Sequence, residues 1–345
     1  MPRLLVRALM AAVILVAGWS PLGSSAGRAQ ALNPNPPAAP VRLVFIHHSV
    51  GENLLNAGLF AQFNANNYYV TDTYYGWPGG YDIGSYTDIG QWYDWFLGPS
   101  RNTYLADLYD NTYIHESLTN SMPQPSGPNT VLLFKSCFPN SGGISGSPDA
   151  PPRISSPTDG NPIWGASSGD TEFTTVSNIK GLYRNLLSYF ATRQDKLFIL
   201  LTSPPVTPDD QFVDGSSDRA RAIDTWLVNH WLEHYPYNNV AVFDFFNVLT
   251  SNGGDVGSND LGAAGGNHHR LLSGRVQHQV QTANNYSAYP SGDSHPTAAG
   301  SLKGAGEFVP LLNVIYHAWQ GTGGRPLFMG RSPKALPAVD LLLLE

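Results

Sequence analysis

Cysteine is almost missing from this chain: Cys137 is the single one among 345 residues. No intramolecular disulfide can form, so the fold must rest on a buried apolar core, which a chain of this length can build. Charge is scarce too. Charged residues make up 13%, with Lys+Arg 19 against Asp+Glu 26 and a formal net charge of -7. Long basic runs are absent, and with them the electrostatic footprint of a nucleic-acid-binding protein. The mild acidity (sequence pI near 5.8) speaks to solubility. A hydrophobic share of 42% places the chain among globular proteins and not disordered ones.

The first residues carry an export pattern. Arg3 and Arg7 give a positive start, and residues 8–19 form an apolar run too short to span a bilayer comfortably. Ala29-Gln30-Ala31 fits the small-x-small pattern before a cleavage site. This predicts a signal peptide over 1–31, a secreted or periplasmic protein, and no stable membrane insertion after cleavage. An uncleaved anchor is the competing reading. Pro34, Pro36, Pro37 and Pro40 make 32–40 a proline-rich linker.

Beyond the linker, apolar runs alternate with helical patterns. Residues 41–46, 68–74, 130–136, 196–202 and 240–246 read as strands. Ile179, Leu182, Tyr183, Leu186, Leu187 and Phe190 repeat with helical spacing, and a second amphipathic helix is expected from about 217 to 234. A last helix is expected after Pro296, interrupted near 304–306 and Pro310. Several strands are apolar on both faces, which argues for a parallel sheet covered by helices. The expected fold is therefore α/β: a three-layer α/β/α sandwich on a flavodoxin-like five-stranded parallel sheet, spanning 41–320. The tail at 321–345 is rich in Gly and Pro and is expected to hold little structure.

Such sheets place ligands at the carboxyl ends of their strands. Ser49, Asn140 and the turn at Ser203 all follow strand ends, so they are expected on one rim. A serine becomes a nucleophile when a base takes its proton and a third group orients that base. The base candidate is His295 in Asp293-Ser294-His295-Pro296, with Asp293 as orienting acid. Pro296 suits the first turn of a helix and leaves His295 on the loop before it. Developing oxyanion charge needs donors, which an Asn amide and backbone N–H groups supply. Asn140 is the side-chain candidate.

On these residues the chain resembles the SGNH (GDSL-like) hydrolase superfamily. Ser49 follows the first strand in His47-His48-Ser49-Val50-Gly51, Asn140 follows the third, and Asp293-x-His295-Pro296 opens the last helix. The resemblance implies catalytic Ser49, His295 and Asp293, and an oxyanion hole of the Ser49 N–H, a loop glycine and Asn140. Gly90 is the preferred glycine and Gly84 the second choice. It implies an ester substrate, with no cofactor or metal. The sequence departs from the family in three places. His-His-Ser replaces Gly-Asp-Ser, Cys137-Phe138-Pro139-Asn140-Ser141 replaces Gly-x-Asn-Asp, and Gly292 stands where the acid usually lies. A Ser–His dyad therefore stays open beside the triad.

Plainer readings stand beside each sharp one. A lone serine after a strand is usually a helix cap. His47 and His48 alternate, one towards the core and one towards the rim. Cys137 reads as a buried core thiol. His230-Trp231-Leu232-Glu233-His234 formally matches the H-x-x-E-H zinc pattern, but both histidines are expected on a packed helix face. His268, His269 and His278 are expected as solvated loop residues. Trp77, Tyr81, Tyr86, Trp92, Tyr93 and Trp95 either cover the sheet or offer flat rings to sugars. The expected function is an exported serine ester hydrolase, with acylated carbohydrate as candidate substrate. The alternatives are a non-catalytic carbohydrate-binding protein on the same fold and a zinc hydrolase using His230 and His234.

Overall fold

A computed structural model describes residues 31–73, 87–110, 118–157, 161–167, 169–251, 268–272, 275–278, 280, 284–323 and 329. The expected signal peptide falls almost wholly outside these residues, as do Gly84, Trp77, Tyr81 and Tyr86. In chain order the elements are β1 (Val41–Ile46), α1 (Ser49–Leu54), a π turn (Leu55–Leu59), α2 (Phe60–Ala65) and β2 (Tyr68–Thr73). There follow α3 (Trp92–Phe96), α4 (Arg101–Asp110), β3 (Val131–Phe134), α5 (Phe138–Gly142), α6 (Val176–Phe190) and β4 (Leu197–Leu201). The chain continues through α7 (Ser216–Asn229), β5 (Val240–Phe243), α8 (Phe245–Leu249), β6 (His269–Leu272), β7 (Arg275–His278) and α9 (Ala298–Trp319).

The five long-range strands form one parallel sheet in the order β2-β1-β3-β4-β5. Their alternation splits the core in two. Val44, Ile46, Leu132, Phe134, Phe198, Leu200 and Val242 face one layer, with Trp92, Phe96, Ile179, Leu186, Ile223 and Leu227 of α3, α6 and α7. Leu43, Phe45, Leu133, Ile199, Leu201 and Phe243 face the other, with Val50, Leu54, Phe63, Val248, Phe308 and Leu312 of α1, α2, α8 and α9. Both faces are dry, so the strands read as continuous apolar runs and not as alternating ones. The register aligns Ile46 with Thr73 and with Phe134, Phe134 with Leu200, and Leu201 with Phe243. One rim thus collects the carboxyl ends of all five strands.

Several local expectations are corrected. The fifth strand stops at Phe243 because Asp244 caps α8, its side chain accepting from the Asn247 N–H at 3.0 Å. That cap turns Phe245 and Phe246 into helix. The last helix runs unbroken past Gly304 and Pro310. Gly304 is a packing residue: a Cβ there would lie 2.6 Å from the Phe245 ring. The 32–40 linker is fastened down, since Asn313 donates to the Pro34 carbonyl at 2.9 Å and Asn67 to Pro37 at 2.7 Å. Within the tail, Met329 bridges to Ala241 and is buried.

Candidate active site

Ser49 opens α1, three residues past the end of β1, with His48 at the cap position. Its Oγ lies 2.8 Å from His295 Nε2. His295 Nδ1 lies 2.9 Å from Asp293 Oδ2, and the His295 backbone N–H donates to Asp293 Oδ1 at 2.9 Å. A carboxylate only accepts, so Nδ1 carries the hydrogen and Nε2 is left to accept from the Ser49 hydroxyl. The hydrogen bonds from His295, side chain first and backbone second, hold the Asp293 carboxyl below its ordinary range. Phe138 packs edge-on against the imidazole, with ring centroids 4.9 Å apart.

The short Asp-x-His spacing has a backbone cause. Gly292 has φ +117, a conformation that side-chain-bearing residues rarely adopt. The turn it makes is closed by the Ser291 N–H on the His295 carbonyl at 3.0 Å. Position 292 is therefore spent on the turn, and Asp293 is the residue that reaches the ring. Ser294 between them is buried and points the other way. Its Oγ meets Asp210 at 2.5 Å and its N–H meets the same carboxylate oxygen at 2.9 Å.

Asn140 is buried in α5. Its Oδ1 accepts from the Ile89 N–H at 2.8 Å, and its Nδ2 donates to Asp88 at 2.5 Å. The Asn140 amide thus ties the loop holding Gly90 to the end of β3. Gly90 is buried between backbone groups: a Cβ there would sit 2.2 Å from the Ala166 carbonyl oxygen and 2.7 Å from that of Ile163. Close approach to that loop requires glycine here. Ser136 and Ser203, on neighbouring strand ends, share a 2.6 Å hydrogen bond.

Cys137 is buried as expected, but its thiol is also in the site, with Sγ 3.3 Å from Ser49 Oγ. No spacing rule pointed to that contact. His47 is fully buried and His48 half-buried. Burial first, then the charges of Lys135, His47 and His295, push His48 down to about 4. Lys135 is wholly buried beside the site and donates to the Ser136 carbonyl at 2.7 Å.

Other expectations change. His230 and His234 are exposed, because α7 ends at Asn229 and His230 leaves the helix at φ -126. The H-x-x-E-H run therefore does not place two imidazoles on successive turns of one helix. His268 and His269 are buried against Glu307, and His278 is mostly buried beside Asp244. Trp92, Tyr93 and Trp95 are core. Among the described residues the exposed aromatics are instead Trp164, Phe173 and Phe212. Trp164 lies on the loop that packs on Gly90, its indole N–H on Asp94 and its ring 4.5 Å from Tyr93. Phe212 donates its N–H to the Gly142 carbonyl at the end of α5. Among the described residues no helix is long and apolar enough to cross a membrane. No protein-family model matches the chain, and no curated protein matches it either.

Proposed function

We propose that this protein is an exported serine ester hydrolase of the SGNH type, working through an acyl-enzyme. The observation that carries the reading is the unbroken hydrogen-bonded chain from Asp293 through His295 to Ser49. Side chains from opposite ends of the domain converge there in the order that nucleophilic catalysis needs.

In this mechanism His295 Nε2 takes the Ser49 proton as Oγ attacks the ester carbonyl carbon. Asp293 holds the imidazole in the accepting tautomer and stabilises the imidazolium that forms. The oxyanion is received by the N–H groups of Ser49 and Gly90 and by the second Nδ2 hydrogen of Asn140, the first being given to Asp88. His295 then gives its proton to the departing alcohol. Water, deprotonated by the same nitrogen, releases the carboxylic acid and restores Ser49.

Acylated carbohydrate is the substrate we favour. Trp164 presents a fixed, part-exposed ring next to the Gly90 loop, and Phe138 packs edge-on against His295. Flat rings with a wet polar edge suit sugar faces. The test is a panel of acetyl, longer acyl, aryl and carbohydrate esters given to the purified mature protein beside Ser49→Ala. Turnover by wild type and its loss in Ser49→Ala are expected. Activity that survives Ser49→Ala at the wild-type level would sink the reading.

A further inference from the structure

We propose that His47 and Asp72 form a positioning pair that aims the Ser49 N–H at the oxyanion; the proposal rests on the hydrolase reading above. His47 Nδ1 lies 2.9 Å from the His48 carbonyl oxygen, and Nε2 lies 3.1 Å from Asp72 Oδ2 in β2. His47 is 0% exposed and Asp72 1%. The imidazole is thus held at both ends inside the protein.

The His48 carbonyl belongs to the same peptide unit as the Ser49 N–H. In a trans peptide the two point in opposite directions, so fixing one fixes the other. The His48 oxygen also receives the Gly51 N–H at 2.7 Å and the Glu52 N–H at 3.3 Å. His47 adds a donor from the chain segment before the turn. The Ser49 N–H, at the first helical position, has no acceptor within its own helix and stays available. Donors on the carbonyl also polarise the peptide and strengthen its N–H as a donor.

Hydrogen counting supports the arrangement. A carbonyl only accepts, so Nδ1 must carry a hydrogen to bond it. A second hydrogen lies between Nε2 and the Asp72 carboxylate. Gly51 completes the design. A Cβ on it would lie 2.3 Å from His47 Cβ and 2.7 Å from Nδ1, so only glycine lets the ring lie against the first turn of α1. The His47-x-Ser49-x-Gly51 spacing is thereby explained: an imidazole, the nucleophile, and the gap the imidazole occupies.

The experiment compares two isosteric variants. His47→Asn keeps an amide N–H near the Nδ1 position, whereas His47→Gln reaches towards Asp72 and leaves the His48 carbonyl without that donor. Loss of aim at one oxyanion donor is expected to lower kcat in His47→Gln by about 100-fold, with KM changed less than about threefold. His47→Asn should stay within about tenfold of wild type, because donor geometry is kept. A boronic acid that mimics the tetrahedral intermediate should lose affinity in parallel with kcat. Equal losses in both variants, or unchanged kcat in His47→Gln, would overturn the proposal. If neither variant folds, the ¹⁵N spectrum of wild-type His47 decides: an Nδ1 without its hydrogen overturns it. Failure of the hydrolase reading would show separately, as wild-type inactivity on the whole ester panel.

Discussion

Asp293 grips His295 twice, once at the backbone N–H and once at ring Nδ1, both at 2.9 Å. A carboxylate two residues before its histidine can orient the ring because Gly292 makes the turn that a longer spacing would otherwise supply. The grip lies at the surface, with the Asp293 side chain 51% exposed. Asp293→Asn leaves one oxygen for two donors and turns an amide N–H towards the other. The expected loss in kcat is about 10²–10³, smaller than for a buried triad acid, because water can substitute at an exposed site. His295→Ala should lose more. Steady-state kinetics on one activated ester would check this, and equal losses for the two variants would contradict it.

Asp210 holds the same loop from behind. Its carboxylate receives the Ser294 hydroxyl at 2.5 Å and the Ser294 N–H at 2.9 Å, while Ser294 Oγ accepts from the Thr207 N–H at 2.8 Å. Ser294→Ala removes the bridge and takes the acceptor from the part-buried Thr207 N–H. The expected costs are about 1–2 kcal/mol of stability and roughly tenfold in kcat, with KM little changed. Urea denaturation and kinetics on the same preparation would separate the two effects. An unaltered kcat would show that the His295 loop holds its place without Asp210.

Trp164 is the ring we expect to meet sugar. Trp164→Ala should raise KM for an acetylated oligosaccharide by about tenfold, since stacking on a sugar face contributes on the order of 1 kcal/mol or more. Turnover of a small acetate ester should stay near wild type. A parallel loss on both substrates would mean that Trp164 supports the Gly90 loop and not the substrate.

The sheet, its strand order and the helices that cover it were legible because dry strands leave continuous apolar runs and α6 leaves a clean helical period. Ser49 was legible because it follows the end of β1, and His295 because Asp293-x-His295-Pro296 stands just before the last helix; the two meet at 2.8 Å. What escaped the sequence was set by tertiary packing. The thiol of Cys137 reaches Ser49 across two loops, and nothing in local spacing encodes that contact. Polar, loop-like composition around 268–278 concealed a pair of antiparallel strands, because His268 and His269 are buried on Glu307, which is remote in sequence. His230 and His234 misled in the opposite sense: an apolar helical period continued through them after the backbone had already left the helix.

Lys135 makes stability depend on pH. Burial lowers its ammonium to about 8, against the opposing pull of Cys137 and Asp88. The unfolded value lies near 10.4, so between these values the unfolded chain binds more protons than the folded one, and stability rises with pH. Wild type should therefore gain on the order of 2 kcal/mol relative to Lys135→Met between pH 7 and pH 10. Lys135→Met itself is expected to be the more stable protein at pH 7, since it buries no charge. Parallel urea curves at both pH values would test this; a pH-independent difference would place the Lys135 proton elsewhere.

Glu307 on α9 is fully buried and collects five donors. It takes the N–H groups of His268 and His269 at 3.0 and 3.1 Å, their Nδ1 atoms at 3.3 and 3.1 Å, and Lys303 Nζ at 3.0 Å. Burial alone would raise its carboxyl; the hydrogen bonds from His268 and His269, and their charges, bring it well below the ordinary range. A depressed carboxyl contributes its full stabilisation above its unfolded value near 4.3 and loses it only as pH falls through the lower folded value. The contribution of Glu307 should thus be constant from pH 5 to pH 8. The cluster also fastens β6 to α9 and to β5, because the His269 ring stacks on Phe243 at 4.8 Å. Glu307→Leu strands these donors together and should cost about 3–5 kcal/mol, with early amide exchange in the β6–β7 hairpin. Glu307→Gln keeps one acceptor oxygen for the two backbone N–H groups and should cost less. Equal destabilisation by Leu and Gln would mean that charge, and not the acceptor on the backbone, holds the hairpin in place.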